Sequence, residues 1–465
     1  MAISRRIVLP CACMAFVMAV TCCDKAEITD TSVASEESTT ITVTIPSETT
    51  DYIPGGDGYY SLLDSGKGTD VQDQGYSPDC WAYSSLDVMR ITNQIAYGND
   101  LDLTVSEIKE LTYGPKEEGI MVAEGGQAKN IAGGSDQYIV WVMSNGYNGY
   151  TVIENPSLNE VFVDENDVYF RSNCASIEQM QEMLRNKGAL PVYVKYGSGI
   201  INYKDMALIN DDTSYNENNG PQIEDNFLTH EALIVGWDDN FPKEYFGQYG
   251  HRMPSTDGAW LYKESSGTTW GDGGYGWMSY ESTFTANGYI LLSDSYSKVL
   301  SYDNSLTYGF STGSETTVAN VFHEGGKLSA VGTYVGMGKD YYEYFGMNDD
   351  DHDITIEIRD ADFNEVLATK TATFDFDGYY VVELDEPIDV EEFSVVITYH
   401  GNAPAEGESA GEIKSGVNYL VDSEAGQSFV LYNGEWLDLS EDSTAETLEL
   451  EQKPNNVCIK ALFTD

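Results

Sequence analysis

The run Val71 to Leu86, V-Q-D-Q-G-Y-S-P-D-C-W-A-Y-S-S-L, constrains this chain most, because it sets a cysteine at the start of a helix, six residues after a glutamine. Ser77 followed by Pro78 is a helix-start signal: a hydroxyl able to cap free backbone N–H groups, then a ring whose fixed φ suits the first helical position. Cys80 therefore falls in the first turn. There, unpaired N–H groups and the positive end of the helix dipole favour an anion, and the thiolate is the nucleophilic form of cysteine. Beyond it, Ala82, Leu86, Met89, Ile91 and Ile95 keep apolar residues at roughly helical spacing, which predicts a buried helix aiming the sulfur. The competing reading is an inert core cysteine, since free cysteine is among the most buried residue types.

A thiolate needs a proton partner. Two histidines precede residue 300. His230, in T-H-E-A-L-I-V-G-W, enters a short apolar, β-rich run, as a base held on a rigid strand should. His251, in Q-Y-G-H-R-M-P-S, sits in a polar, turn-like stretch. The 150 positions from Cys80 to His230 match the spacing of enzymes in which a cysteine near the mature N-terminus meets a distant histidine in space.

Three blocks in order, Q-G-Y-S-P-D-C-W-A-Y, T-H-E-A-L-I-V-G-W-D-D and W-L-Y-K-E-S-S-G-T-T-W-G-D-G-G-Y, resemble the signature blocks of the papain-like cysteine peptidases. The likeness spans roughly residues 61 to 300. It implies an α+β fold of two layers with a cleft between them. It also implies Cys80 as nucleophile, His230 as general acid and base, and Gln74 with the Cys80 backbone N–H as oxyanion hole. Gly133, Gly134 and Ser135 resemble the family's strip that pairs with an extended substrate, and Trp270 resembles the aromatic beside the leaving-group side. The partners so implied are protein or peptide substrates, with no cofactor and no metal.

The departures are specific. Where the family reads K-N-S-W-G, this chain has Lys263, Glu264, Ser265, Ser266 and Gly267. Glu264 replaces the asparagine that orients the histidine; a carboxylate there accepts the second imidazole N–H and stabilises the imidazolium. It is one methylene longer, and Ser266 removes a shielding tryptophan, so Glu264 is expected to be less protected from water. Ser77 stands where the family usually has a disulfide-forming cysteine. Asp79, next to Cys80, is expected to oppose the thiolate by like-charge repulsion.

Upstream, Arg5 and Arg6 precede the apolar run Ile7 to Val20, which is too short to span a bilayer, so residues 1–23 read as an export signal. Cys22 or Cys23 at its end is the candidate lipidated cysteine of a bacterial lipoprotein, which would anchor the chain to the outer face of a membrane; plain secretion is the alternative. Residues 24–58 are rich in Ser, Thr and Glu and read as a disordered stalk. Residues 59–304 form the expected peptidase domain. Within it, V-S-E-I-K-E-L after Thr104, S-D-Q-Y-I-V-W-V-M before Asn145-Gly146, and S-I-E-Q-M-Q-E-M-L-R-N-K-G read as helices, the last capped by Ser176. P-V-Y-V-K-Y reads as a strand, and Tyr203 to Asn226 as a mobile polar loop.

From residue 305 to 465 the texture changes to short alternating strands, with Asn433-Gly434 as a hairpin signal, which predicts an antiparallel β-sandwich. In that position it resembles the lectin-like domain following some bacterial papain-like domains, and cell-surface glycans are its candidate ligands. This keeps a second function open: a catalytically weak papain-fold surface protein acting as an adhesin. The acid run Asn348 to Asp353 offers oxygen ligands for Ca²⁺ without ordered EF-hand spacing, and reads more simply as a solvated loop. A formal charge of −53 excludes nucleic acid as a partner, because phosphate backbones need cationic surface; it favours steering of basic peptides. Of seven cysteines, only Cys80, Cys174 and Cys458 fall in folded regions, so no disulfide framework is expected.

Overall fold

The computed structural model describes residues 52–113, 121–123, 136–158, 160–163, 168–171, 175–195, 200–203, 206–209, 215–216, 220–221, 229–246, 253–282, 284–303, 308–336, 352–406, 417–419, 423–450 and 453–465. The first half is built from a helical layer and a sheet. Helix α1 (Cys80–Tyr97) is the central one, and Ala82, Leu86, Met89 and Ile91 are all buried along it. Helices α2 (Val105–Tyr113) and α3 (Asp136–Met143) pack against it. Local signals account for their limits. Thr104 and Glu107 cap α2 reciprocally: Thr104 N–H donates to the Glu107 carboxylate at 2.8 Å, and Glu107 N–H to the Thr104 hydroxyl at 3.3 Å. Helix α4 (Ile177–Asn186) starts at the same device, with Ser176 and Gln179 as the pair.

The sheet layer has eight strands. Its path runs Phe284–Ala286, Leu190–Lys195, Thr229–Asp238, Ala259–Lys263, Tyr275–Ser279, Met206–Ile209 and Ile200–Tyr203, with Tyr59–Ser61 added against Thr229–Asp238. Part of the polar stretch expected as a loop is thus the strand Met206–Ile209, held parallel to Tyr275–Ser279. Gly236 is required where Tyr59–Ser61 crosses, since a Cβ there would lie 2.3 Å from the Tyr60 carbonyl oxygen. The chain is docked from Tyr52 onward: the Tyr52 hydroxyl donates to Asp238 at 2.9 Å, and its ring meets Phe241 edge-on.

The second half is a sandwich of two six-stranded antiparallel sheets. One runs Val366–Thr373, Asp353–Asp360, Phe393–Tyr399, Thr316–Phe322, Ser428–Tyr432 and Glu435–Asp438. Alternation makes one face apolar, so Val318, Ile356, Phe393 and Val395 meet Leu328, Val331, Ile459 and Phe463 of the other sheet in a common core. The Asn433-Gly434 turn has both residues at positive φ, 52° and 85°, the geometry that fits two antiparallel strands together.

The second sheet contains strands from both halves. Its order is Leu291–Ser293, Thr151–Pro156, Gly378–Val390, Gly326–Val335, Ile459–Thr464 and Lys298–Leu300. Thr151–Pro156 pairs directly with the sandwich, Tyr379 opposite Asn155 and Tyr380 opposite Glu154. Tyr334, Tyr379 and Cys458 consequently belong to the same apolar cluster as α1 and α3. The two halves share a sheet and a core.

An ion pair is buried on the face of the shared sheet opposite the sandwich core: Lys460, fully enclosed, meets the carboxylate of Asp303. Removing one partner leaves an uncompensated charge away from water. Lys460→Ala is expected to destabilise the protein by about 3–5 kcal/mol, read as a lower urea midpoint at unchanged m-value.

Candidate active site

Helix α1 begins at Cys80, with Asp79 as its N-cap and no side-chain cap. The expected Ser77 cap and Pro78 first position are not adopted, because residues 74–77 close a turn of their own. Ser77 N–H reaches the Gln74 carbonyl at 3.4 Å, and the Gln74 amide nitrogen donates to the Ser77 carbonyl at 2.8 Å. The chain then enters the helix two residues later. Cys80 remains in the first turn, 3 % exposed, above the free N–H groups of the helix end.

The sheet layer supplies the partner. His230 lies near the start of Thr229–Asp238, opposite Val194 on one side, and Leu233 of the same strand faces Lys263 on the other. Cys80 and His230 meet across the two layers, within reach of each other's charge and of a hydrogen bond. On its other side, His230 Nε2 lies 2.5 Å from Glu264 Oε1, which leaves Nδ1 for the sulfur. Burial alone would push the imidazole down; the Glu264 carboxylate and Cys80 overcome this and hold it well above the ordinary histidine value.

Glu264 is not open to water as its sequence context predicts. Its side chain is fully enclosed. The Tyr262 hydroxyl donates to Oε2 at 2.8 Å and the Ser266 hydroxyl to Oε1 at 3.0 Å. Trp270 packs over Tyr262, with ring centroids 5.9 Å apart. Ser266 thus replaces the shield by a hydrogen bond, while Tyr262 and Trp270 cover the site from the strand side.

Gln74 is fixed by the same block. Its N–H donates to the Ser265 carbonyl at 2.8 Å, and its side-chain carbonyl accepts from the Ser265 hydroxyl. With one amide hydrogen on Ser77, the geometry leaves the second for a ligand. The Asp79 repulsion expected beside Cys80 is answered by a cation: Lys109 Nζ lies 2.6 Å from Asp79 Oδ2.

Sequence reasoning missed several contributors. Lys263 is buried and donates to Asp87 of α1 at 2.6 Å, to Thr69 at 2.6 Å and to the Asp70 carbonyl at 2.9 Å, clamping the Glu264 block onto the cysteine helix. The available signal was a charge inside each of two apolar runs. Tyr262 and Lys109 left no comparable mark, and the hydrogen bond from Ser266 to Glu264 was not foreseen. Gly133, Gly134, Ser135, Cys174, His251 and the candidate lipidation sites Cys22 and Cys23 lie outside the described residues. Among the described residues, no group of three or more His, Cys, Asp or Glu is placed to hold a metal ion.

A two-layer α+β fold with a buried cysteine–histidine–carboxylate set at the layer boundary defines a cysteine peptidase of the papain type. Residues 63–290 match the papain family cysteine protease and residues 299–464 match the lectin-like domain, so this chain carries a papain-family cysteine protease domain followed by a lectin-like domain. It is similar in fold to the clostridial cysteine protease Cwp84, in a cysteine-to-alanine variant after propeptide cleavage: TM-score 0.64, 17% identity, 88% of this chain and 99% of that one. A second structure, the cysteine protease and lectin-like domains of Cwp84, a surface layer associated protein of Clostridium difficile, gives TM-score 0.63 at 17% identity, over 89% of this chain and 90% of that one. No curated protein matches the chain.

Proposed function

We propose that Cys80 is the nucleophile of a peptide-bond hydrolase working through an acyl-enzyme. The observation that carries this is the meeting of Cys80 from α1 with His230 from the sheet, with Glu264 behind the imidazole. The thiolate attacks the substrate carbonyl carbon and a C–S bond forms. The charge that grows on the carbonyl oxygen is met by the Gln74 amide and the Cys80 backbone N–H. The C–N bond breaks as the His230 imidazolium gives its proton to the leaving amine. Water, deprotonated by His230, then attacks the thioester, the C–S bond breaks and the acid leaves. Glu264 holds the imidazole in place and stabilises its charged form. Trp270 stands beside this centre through Tyr262, and the Gly133, Gly134 and Ser135 strip is assigned to the substrate backbone on resemblance.

The same reading places the protein outside the cell, tethered through Cys22 or Cys23. The basic, apolar and cysteine-ended N-terminus supports it, as does the likeness to Cwp84, which is described as surface layer associated. Among the described residues, no helix is long and apolar enough to cross a membrane. Glycans at the cell surface are proposed as ligands of the lectin-like domain.

A thiol-directed epoxide separates the enzyme from a catalytically silent relative. The parent is expected to be captured covalently at Cys80, and Cys80→Ala not at all, with peptide hydrolysis lost in the same variant. Equal hydrolysis by parent and Cys80→Ala would remove the assignment.

A further inference from the structure

Beside the cysteine–histidine pair lies a second titratable cluster that the mechanism does not use. Asp136, at the start of α3, is fully buried. It accepts from the Asn287 amide at 2.8 and 2.9 Å, from the Gln137 N–H at 2.9 Å and from the Tyr193 hydroxyl at 2.5 Å. Its carboxylate is therefore satisfied by neutral donors. Glu231, the residue after His230, is 1 % exposed and lies close enough to both Asp136 and Cys80 to feel their charge.

Neither Glu231 oxygen meets a donor at full hydrogen-bond geometry among the described residues, although the Asp136 backbone N–H and the Tyr193 hydroxyl lie near it. The Tyr193 hydroxyl, paired across the sheet from it, also lies beside it, but spends its single proton on Asp136. No lysine or arginine among the described residues pairs with either acid. A buried carboxyl without a donor costs free energy unless something that arrives later supplies one. Its position against the nucleophile makes the substrate the natural source.

We infer that Glu231, backed by Asp136, selects substrates carrying a cationic side chain, lysine or arginine, close to the scissile bond. This rests on the peptidase reading of Cys80 and His230. It gives the acid a partner of opposite charge where the described residues offer none, and it agrees in sign with a protein whose formal charge of −53 concentrates cations around it.

Burial, then the neighbouring Asp136 and Cys80, pushes the Glu231 carboxyl well above the usual carboxylate range. A bound cation favours the charged form of the carboxyl, as rising pH does. Selectivity for basic over neutral substrates is accordingly expected to grow as pH rises. The other groups facing Glu231 are His230 on its own strand, Tyr193 on the next, Asp136 on α3 and Cys80 on α1.

The test compares the mature full-length parent with Glu231→Gln and Glu231→Asp on matched peptide pairs, Lys or Arg against norleucine or Gln at each position around the cleaved bond. At one position the parent is expected to favour the basic peptide, and Glu231→Gln to lower that ratio by roughly tenfold or more, the usual worth of a charge-assisted contact. Glu231→Asp is expected to restore part of it. A parent without a basic preference, or an unchanged ratio in Glu231→Gln, would overturn the inference.

A second readout does not need turnover. Cys80 modification by aminoethyl methanethiosulfonate relative to the neutral methyl reagent, followed by peptide mass mapping, is expected to lose its preference for the cation in Glu231→Gln. A protein that cleaves nothing yet shows this loss would retain the cation site and contradict the peptidase reading. Cleavage with no Glu231-dependent preference in either assay would do the reverse.

Discussion

Glu264→Ala is expected to lower kcat/KM by about 10³–10⁴-fold, the scale seen when the acid behind a catalytic histidine is removed. The cause is geometric and electrostatic together. Oε1 lies 2.5 Å from His230 Nε2, and the carboxylate is held in turn by Tyr262 and Ser266. Truncation frees the ring to turn, takes this acceptor from the buried Tyr262 hydroxyl and the half-buried Ser266 hydroxyl, and removes the charge that sustains the imidazolium.

Glu264→Gln separates these effects. It keeps a side chain of the same length while deleting the charge, so the ring stays oriented and the imidazolium loses support. The sign follows from the site. His230 is raised well above its ordinary value, against the downward push of burial, by Glu264 and Cys80. A histidine raised in the folded state contributes stability that is complete below its unfolded pKa, near 6.5, and is lost as pH rises through the folded one. The alkaline limb of kcat/KM is therefore expected to move toward acid in Glu264→Gln, and the stability gained below neutrality to shrink. Coincident pH profiles for parent and Glu264→Gln would remove Glu264 from the mechanism.

Cutting away residues 299–465 is expected to cost the peptidase half its independent stability. Thr151–Pro156 would lose Gly378–Val390 as its hydrogen-bonding neighbour and expose a sheet edge. The cluster containing α1 and α3 would lose Tyr334, Tyr379 and Cys458, all nearly or fully buried. At about 1.5–3 kcal/mol for each large apolar side chain, the loss reaches roughly 5 kcal/mol. For a domain of this size that corresponds to a fall in Tm on the order of 10–20 °C. Circular dichroism melts of residues 52–298 against the full chain measure it; a cooperative melt at the same temperature would show the shared sheet to be dispensable.

That shared sheet also marks where sequence reading stops. Local devices were legible: the Ser176 cap, the Thr104 helix start, the Asn433-Gly434 hairpin and the buried stripe of α1 each depend on residues within a few positions of one another. The pairing of Cys80 with His230 was legible for a different reason, because His230 is the sole histidine before residue 300 that enters an apolar strand-like run. Thr151–Pro156 carries no sign that its partner lies more than 200 residues downstream. Likewise, nothing local reveals that Lys109 neutralises Asp79, or that Tyr262 and Trp270 enclose Glu264. These are long-range pairings, fixed by packing rather than by spacing. Glu231 was hidden by its neighbour: adjacent to His230, in T-H-E-A-L, it reads as one more strand residue until its burial is seen.

The account stands on one chemical event, transfer of an acyl group to the Cys80 sulfur under the control of His230. Rapid quenching of the parent with an activated ester, followed by mass mapping, tests it most directly. The expected result is an acyl group on the peptide containing Cys80, formed in a burst, and slowed by orders of magnitude in His230→Ala. Substrate turnover with no acyl group at Cys80, or a burst equally fast without His230, would contradict it.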